Sequence, residues 1–240
     1  MKNVTLLALD TATEACSVAL LHGGEKTHLA QFAQREHTKH ILPMVDEILA
    51  QSGITLRQVD TLVFGRGPGS FTGVRIGAGI AQGLAFGAEL PVIPVSNLAA
   101  MAQAAYAQYQ AENVLTAIDA RMNEVYFAQW QAQKVRSDFG EFLDWQPVIA
   151  EQVCSPSKAI EQVVQQHREN AVLAGTGWAA YPELNDANLG KATEITLPSA
   201  LYMLDLALPK WFAGETISPL EIELIYLRNE VTWKKLPGRE

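Results

Sequence analysis

"ALDTATEACSVA", residues 8–19, and "AIDARMNEVYFA", residues 117–128, decide how this chain is read. At an offset of 109 the two stretches align, with Ala8, Asp10 and Ala19 falling on Ala117, Asp119 and Ala128. Each is an apolar run that stops at an aspartate, passes a short polar turn and resumes as a second apolar run. That is the pattern of an antiparallel strand pair. Further along, at an offset of 110, "LVFGRG" (62–67) lies over "VLAGTG" (172–177), and Gly65 and Gly67 fall on Gly175 and Gly177. Two matches at nearly one offset, at the same place in the order of elements, mark an internal duplication. The expected fold is α/β, with two similar lobes, each a mixed sheet flanked by helices, and a cleft between them. Asp10 and Asp119, each at the end of a strand, are expected to face each other across that cleft, where ligands tend to bind.

The remaining elements fit this division. Strands are read at 4–9, 16–21 and 27–32, then a helix whose core stripe is Ile41, Val45, Ile48 and Leu49, with Thr38 as its N-cap. A strand at 61–64, a glycine-rich helix to about Gly87, a strand at 91–95 and a helix at 97–108 complete the first lobe, residues 1–108. The second lobe, 109–214, has strands at 114–119, 125–130 and 172–174, and a helix at 155–167 that Ser155 caps with Pro156 at its first position. Residues 215–240 are expected to pack back on the first lobe.

Composition narrows the function. The 240 residues are 48% hydrophobic and 18% charged, which is ordinary for a globular protein. A net charge of −8 makes the chain a poor general binder of nucleic acid, since phosphate contacts need clustered Lys and Arg. Two unpaired-looking cysteines, Cys16 and Cys154, and a start without signal-peptide character point to the cytosol. The longest uncharged apolar run, 76–88, is 13 residues and too short for a bilayer.

Residues 63–83, "VFGRGPGSFTGVRIGAGIAQG", hold seven glycines. No lysine occurs between Lys39 and Lys134, which excludes a Walker A loop. Ser70 stands where the Rossmann fingerprint needs glycine, and Pro68-Gly69 before Ser70 excludes a nucleophile elbow. Instead Gly69, Gly73 and Gly77, and again Gly79, Gly83 and Gly87, recur every fourth residue, so each set runs along a helix face. Each interior helical glycine costs on the order of 1 kcal/mol against alanine. One row is expected to pack on the chain's own sheet. The mixed face of Phe71, Val74, Arg75, Ala78 and Gln82 suggests a protein partner, so Ala78→Arg or Val74→Glu is expected to break association with the monomer intact.

Other candidates carry less. His37 and His40 could hold a metal, with Glu36 as a weak third donor, but no third donor at motif spacing is visible and surface histidines near a helix start are the plainer reading. Asp119, Arg121 and Glu124 form a charged turn that an ion pair can fix. Ser70 has no assignable histidine partner for proteolysis.

The motifs "LALDTATEACSVAL", "GRGPGSFTGVRIG", "AIDARMNEVYF" and "IYLRNEV" in this order resemble the bacterial TsaB (YeaZ) family, nearly end to end. That family is similar to the actin and sugar-kinase superfamily, whose lobes have the element order read above. The resemblance implies a non-catalytic subunit of the machinery that makes N6-threonylcarbamoyladenosine at position 37 of tRNAs reading ANN codons. Its partners would be a homologous transferase, TsaD, and a small ATPase, TsaE, with a homodimer when alone. tRNA would be reached mainly through the complex. Partner contact would run through the helix bearing His40, Met44, Val45 and Ile48 and the glycine helix bearing Phe71, Val74, Arg75, Ala78 and Gln82. Asp10, Thr11, Thr13, Gly175, Thr176 and Gly177 sit where the superfamily binds nucleotide, so ATP or ADP is a weak possibility, with no other cofactor expected. The catalytic relative's His-x-x-x-His metal pair falls here on Asn97 and Met101, which argues against transfer chemistry. The alternatives are a nucleotide-dependent ATPase or kinase of the superfamily, and a peptidase acting on the partner.

Overall fold

A computed structural model describes residues 4–33, 35–137, 139–164 and 170–228. The first half runs β1 (Leu6–Asp10), β2 (Ala15–His22), β3 (Glu25–Phe32), α1 (His37–Gln51), β4 (Thr61–Gly65), α2 (Phe71–Ala88), β5 (Val92–Val95) and α3 (Asn97–Tyr109). The second half repeats it as β6 (Asn113–Arg121), β7 (Glu124–Ser137), β8 (Gly140–Cys154), α4 (Pro156–Val164), β9 (Val172–Ala174), α5 (Gly177–Ala180), α6 (Pro182–Asp186), β10 (Lys191–Ala192) and α7 (Ala200–Ala213).

The two sheets have one topology, β3-β2-β1-β4-β5 and β8-β7-β6-β9-β10. In each, the first two strands are antiparallel and the central strand pairs in parallel with the strand after the helix. β1 and β4 are buried along their whole length because helices cover both faces of the sheet, so they read as unbroken apolar runs. β3 is an exposed edge and alternates poorly.

Two features depart from the sequence reading, and a third follows it as far as the described residues go. Helix α1 starts at His37 with Glu36 as N-cap and no side-chain cap bond, so Thr38 is already inside the helix. The reason is His37, which is buried with Nε2 2.6 Å from the carbonyl oxygen of Thr13 and pulls the first turn inward. Strand β8 was not anticipated because it carries Pro147, which a strand tolerates at a sheet edge, and β8 is an edge. The helix expected at 155–167 is α4 as far as Val164, and Ser155 Oγ accepts from the Lys158 N–H at 3.3 Å. Residues 165–167 lie outside the described residues.

Two helices cross between the halves. Helix α3 buries Leu98, Met101, Ala102 and Ala105 against Val114, Ile118, Ala128 and Trp130 of the second sheet. Helix α7 buries Met203, Leu204 and Ala207 against Leu6, Ala8, Val63 and Ile93 of the first. Each half therefore ends in a helix that seals the other half's sheet, and α3 and α7 form a layer between the two. Beyond α7, Ile217 pairs with Val92, and Ile217, Ile222 and Leu224 pack on the first lobe's core.

Candidate functional site

The site is built where β1 ends. Asp10 and Thr11 lie 1% exposed beneath the start of α2. Three glycines allow this approach. A Cβ at Gly69 would stand well inside 3.0 Å of the Ala12 carbonyl, one at Gly73 would meet the Thr11 carbonyl as closely, and one at Gly77 would lie 2.7 Å from Thr11 Oγ1. Thr11 Oγ1 donates to the Gly73 carbonyl at 2.7 Å, locking helix to strand. Ser70 Oγ accepts from the Gly73 N–H at 3.0 Å as the N-cap of α2. The serine singled out in the peptidase reading is thus employed as a helix cap.

Asp10 does not face the cleft. Its Oδ1 accepts from Asn97 Nδ2 at 2.6 Å, and Asn97 Oδ1 accepts from the Gly67 N–H at 2.9 Å. The carboxylate therefore points beneath Gly65 toward the start of α3. Its Oδ2 has no hydrogen-bond partner of normal geometry among the described residues. Desolvation raises its pKa from 3.8 to about 6, moderated by the bond from Asn97 and by the nearby backbone of Ala12 and Thr11.

The second lobe's counterpart is different. Asp119 is partly exposed, and its Oδ1 accepts from the Arg121 N–H and from Tyr181 Oη, each at 2.8 Å. Arg121 Nη1 donates to its Oδ2 at 2.8 Å. Desolvation and the carboxylate beside it push Tyr181 up to about 12, so it stays a donor. Thr176 Oγ1 accepts from the Asp119 N–H at 3.1 Å. Gly175 (φ +120°) and Gly177 press against Ala117, where a Cβ at Gly175 would collide with the backbone carbonyl. Arg121, Met122 and Asn123 all have positive φ, a strained turn for non-glycine residues. Arg228 holds that turn from outside. It donates to the Ala120 carbonyl at 3.2 Å and pairs with the Glu124 carboxylate. Arg228→Ala is expected to cost about 1 kcal/mol, read as a lower urea midpoint at unchanged slope.

The cleft itself is a cavity of about 480 Å³, bordered by Thr13, Ser70, Asp119, Arg121, Thr176 and Arg228 among others. Of the six candidate nucleotide residues, Thr13 and Thr176 line it, while Asp10, Thr11, Gly175 and Gly177 serve packing. Its two arginines are each committed to a carboxylate. His37 and His40 do not come together on one ligand: His37 is turned inward, and His40 Nε2 lies 3.7 Å from Glu36 Oε2. No cluster of three metal-ligating side chains occurs among the described residues. Cys16 and Cys154 are buried free thiols, each pushed up to about 11 by burial.

Several residues of the expected partner face are buried within this chain. Val45 (2% exposed), Ile48 (0%) and Met44 (6%) belong to the first lobe's core. Val74 and Ala78, both 5% exposed, are covered too, because the segment after α7 runs along that side of α2. Gln82 Nε2 donates to the Pro219 carbonyl at 2.9 Å, and the Arg75 guanidinium lies between the rings of Phe71 and Tyr226 at 3.3 and 4.7 Å. Ala78→Arg and Val74→Glu would therefore strike the monomer's own packing. The open face is the other glycine row, since Cβ atoms at Gly79, Gly83 and Gly87 would meet nothing within 4 Å. Leu42 and Phe86 are exposed on the same pair of helices, and His40 is half-buried. Helical periodicity signalled both rows; only the covering segment, more than a hundred residues away, reveals which is free.

No helix among the described residues is long and apolar enough to cross a membrane. Comparison with known proteins places this architecture. The sequence profile of the family described as "TsaD: tRNA N6-adenosine threonylcarbamoyltransferase" matches residues 29–212. The chain is 68% identical over 240 residues to the tRNA threonylcarbamoyladenosine biosynthesis protein TsaB of Haemophilus influenzae, covering all of both chains. It is 48% identical to the protein of that name from Escherichia coli, over 98% of this chain and 99% of that one. Among solved structures, YeaZ from Pseudomonas aeruginosa superposes with a TM-score of 0.79 at 41% identity, over 93% of this chain and all of that chain. A second structure, described as an uncharacterised protein with similarity to the peptidase YeaZ from that organism, gives 0.82 at 42%, over 94% of this chain and all of that one. Likeness at this level over whole chains, on the duplicated fold built above, shows that the chain belongs to the TsaB (YeaZ) family of the actin/sugar-kinase-like fold.

Proposed function

We propose that this chain is a non-catalytic subunit in the formation of N6-threonylcarbamoyladenosine at position 37 of ANN-decoding tRNAs. It docks a TsaD-type transferase and works with a TsaE-type ATPase. The observation that carries the docking reading is the row Gly79, Gly83, Gly87. Among the described residues a Cβ on any of these glycines would meet nothing within 4 Å, and none has a positive φ to require it, yet each weakens the helix. A surface of this kind lets a second helix backbone approach closely, in the transferase or in a second copy of this chain.

The non-catalytic reading is supported by the fate of the candidate chemistry. Asn97 and Met101, which replace the relative's metal-binding pair, are fully buried, and Asn97 is bonded on both sides. Asp10 is turned away from the cleft, and the cleft's cations are neutralised locally. The match to a transferase profile reflects the common fold; the residues in this chain's cleft support positioning of the partner.

The test is threonylcarbamoyl transfer to tRNA with purified transferase and ATPase, with and without this chain. Activity is expected to need the chain and to survive Asp10→Asn and Ser70→Ala. ATP hydrolysis or tRNA modification by the chain alone would show that it has its own chemistry. For docking, Gly83→Arg is expected to weaken association at least tenfold while leaving the monomer's unfolding midpoint unchanged or higher. Undiminished association of a folded Gly83→Arg protein would place the interface elsewhere.

A further inference from the structure

A second cavity between the lobes, about 550 Å³, lies at the carboxyl ends of β4 and β5, where Arg66 and Ser96 line it. Open α/β sheets bind ligands at that end of their strands. The β7–β8 arm closes it from outside by reaching over α7, with Phe139 stacked on Phe212 at 4.5 Å and Phe142 tilted against the same ring. Trp130 and Trp145 form the back wall. Their indole N–H groups are used elsewhere, on Thr116 Oγ1 and Gln103 Oε1, so they offer the cavity carbon surface.

Two cations stand in this apolar wall. Arg66 donates through Nη2 to Glu151 Oε2 at 2.8 Å, and Ser96 Oγ occupies the other Glu151 oxygen. Both oxygens of that carboxylate are thereby engaged, and Arg66 Nη1 is buried with no hydrogen-bond partner among the described residues. Lys210 Nζ donates to the Pro94 carbonyl at 3.2 Å and has no carboxylate within ion-pair distance among the described residues. Its pKa is held below the usual lysine value, first by desolvation and next by Arg66. The cavity's own acids, Asp144 and Glu215, are exposed at the rim, and Asp144 is engaged by the Gln146 amide. A buried guanidinium nitrogen without an acceptor is costly unless something supplies one.

We propose that this cavity binds a small amphiphilic anion, an aromatic or aliphatic body lying on the Phe and Trp walls with one carboxylate, phosphate or sulfonate set at Lys210 Nζ beside the Arg66 guanidinium. The volume suits one ligand of drug-like size.

The probes are 8-anilinonaphthalene-1-sulfonate and its uncharged analogue N-phenyl-1-naphthylamine, followed by dye emission and by energy transfer from tryptophan in the full chain. The sulfonate is expected to saturate at one per chain. Lys210→Met should weaken it on the order of tenfold and the neutral dye by less than twofold, while Phe139→Ala weakens both. Lys210→Gln gives the same reading should Lys210→Met not fold, as judged by circular dichroism. Phe86→Ser, on the exposed face of α2, should change neither. The proposal is overturned if the wild-type chain shows no saturable binding, if a folded Lys210 variant affects the two dyes alike, or if loss follows Phe86→Ser instead of Phe139→Ala.

Discussion

Gly73→Ala is expected to destabilise the protein by about 3 kcal/mol and Gly83→Ala to stabilise it by about 1 kcal/mol, though both add one methyl to one helix. At Gly73 the new carbon would stand against the carbonyl of Thr11, which is fixed backbone just past the end of a buried strand, while the Gly73 carbonyl accepts the Thr11 Oγ1 bond that locks helix to strand. The helix would have to lift, losing that bond and the Ser70 cap. At Gly83 the new carbon meets nothing, so only the gain in helix propensity remains. For a chain of this length the pair should move Tm by roughly 6–12 °C down and about 2–4 °C up. Thermal unfolding of the two variants beside the wild type checks it. Equal losses in both would mean that the two glycine rows are not a packed row and an open one. Gly83→Ala should also separate the two properties at issue, a steadier monomer that binds its partner less well.

The second large effect concerns Asp10. Its folded-state pKa of about 6 lies above the ordinary 3.8, so its protonated form favours the native state. That contribution is fully present below pH 3.8 and is lost as pH rises through 6. The loss amounts to about 3 kcal/mol at most. Asp10→Asn removes the charge and keeps an acceptor for Asn97 Nδ2. At pH 7.5 it should be more stable than wild type by about 1–2 kcal/mol, and the advantage should vanish toward pH 4. Urea unfolding of both proteins at the two pH values measures this. An unchanged difference between them would show that Asp10 is solvated. Retained tRNA modification in Asp10→Asn would fit a position that no longer carries charge for chemistry.

The duplication was legible from Asp10, Asp119 and two glycine pairs because strand ends and tight approaches impose the same residues in both halves. The core stripe of α1 was legible from its periodicity. What periodicity does not encode is the covering element. An apolar stripe states that it will be buried and is silent on whether by its own lobe, the other lobe or another protein. That is why Val74 and Ala78 read as a partner face and why the exchange of α3 and α7 went unseen. The inward turn of Asp10 rests on Asn97, 87 residues away, and the Arg66–Glu151–Ser96 group spans 85. Such pairings are set by the fold as a whole, with no local spacing to announce them.

The crossed sealing helices bear on synthesis. Strands β1, β4 and β5 are complete once residue 95 has been made, but the face they present to α7 stays bare until residue 213 has left the ribosome. At about 5–20 residues per second that interval lasts roughly ten seconds. During it Leu6, Ala8, Val63 and Ile93 form an uncovered apolar surface on a nascent chain, the kind of surface that holding chaperones bind.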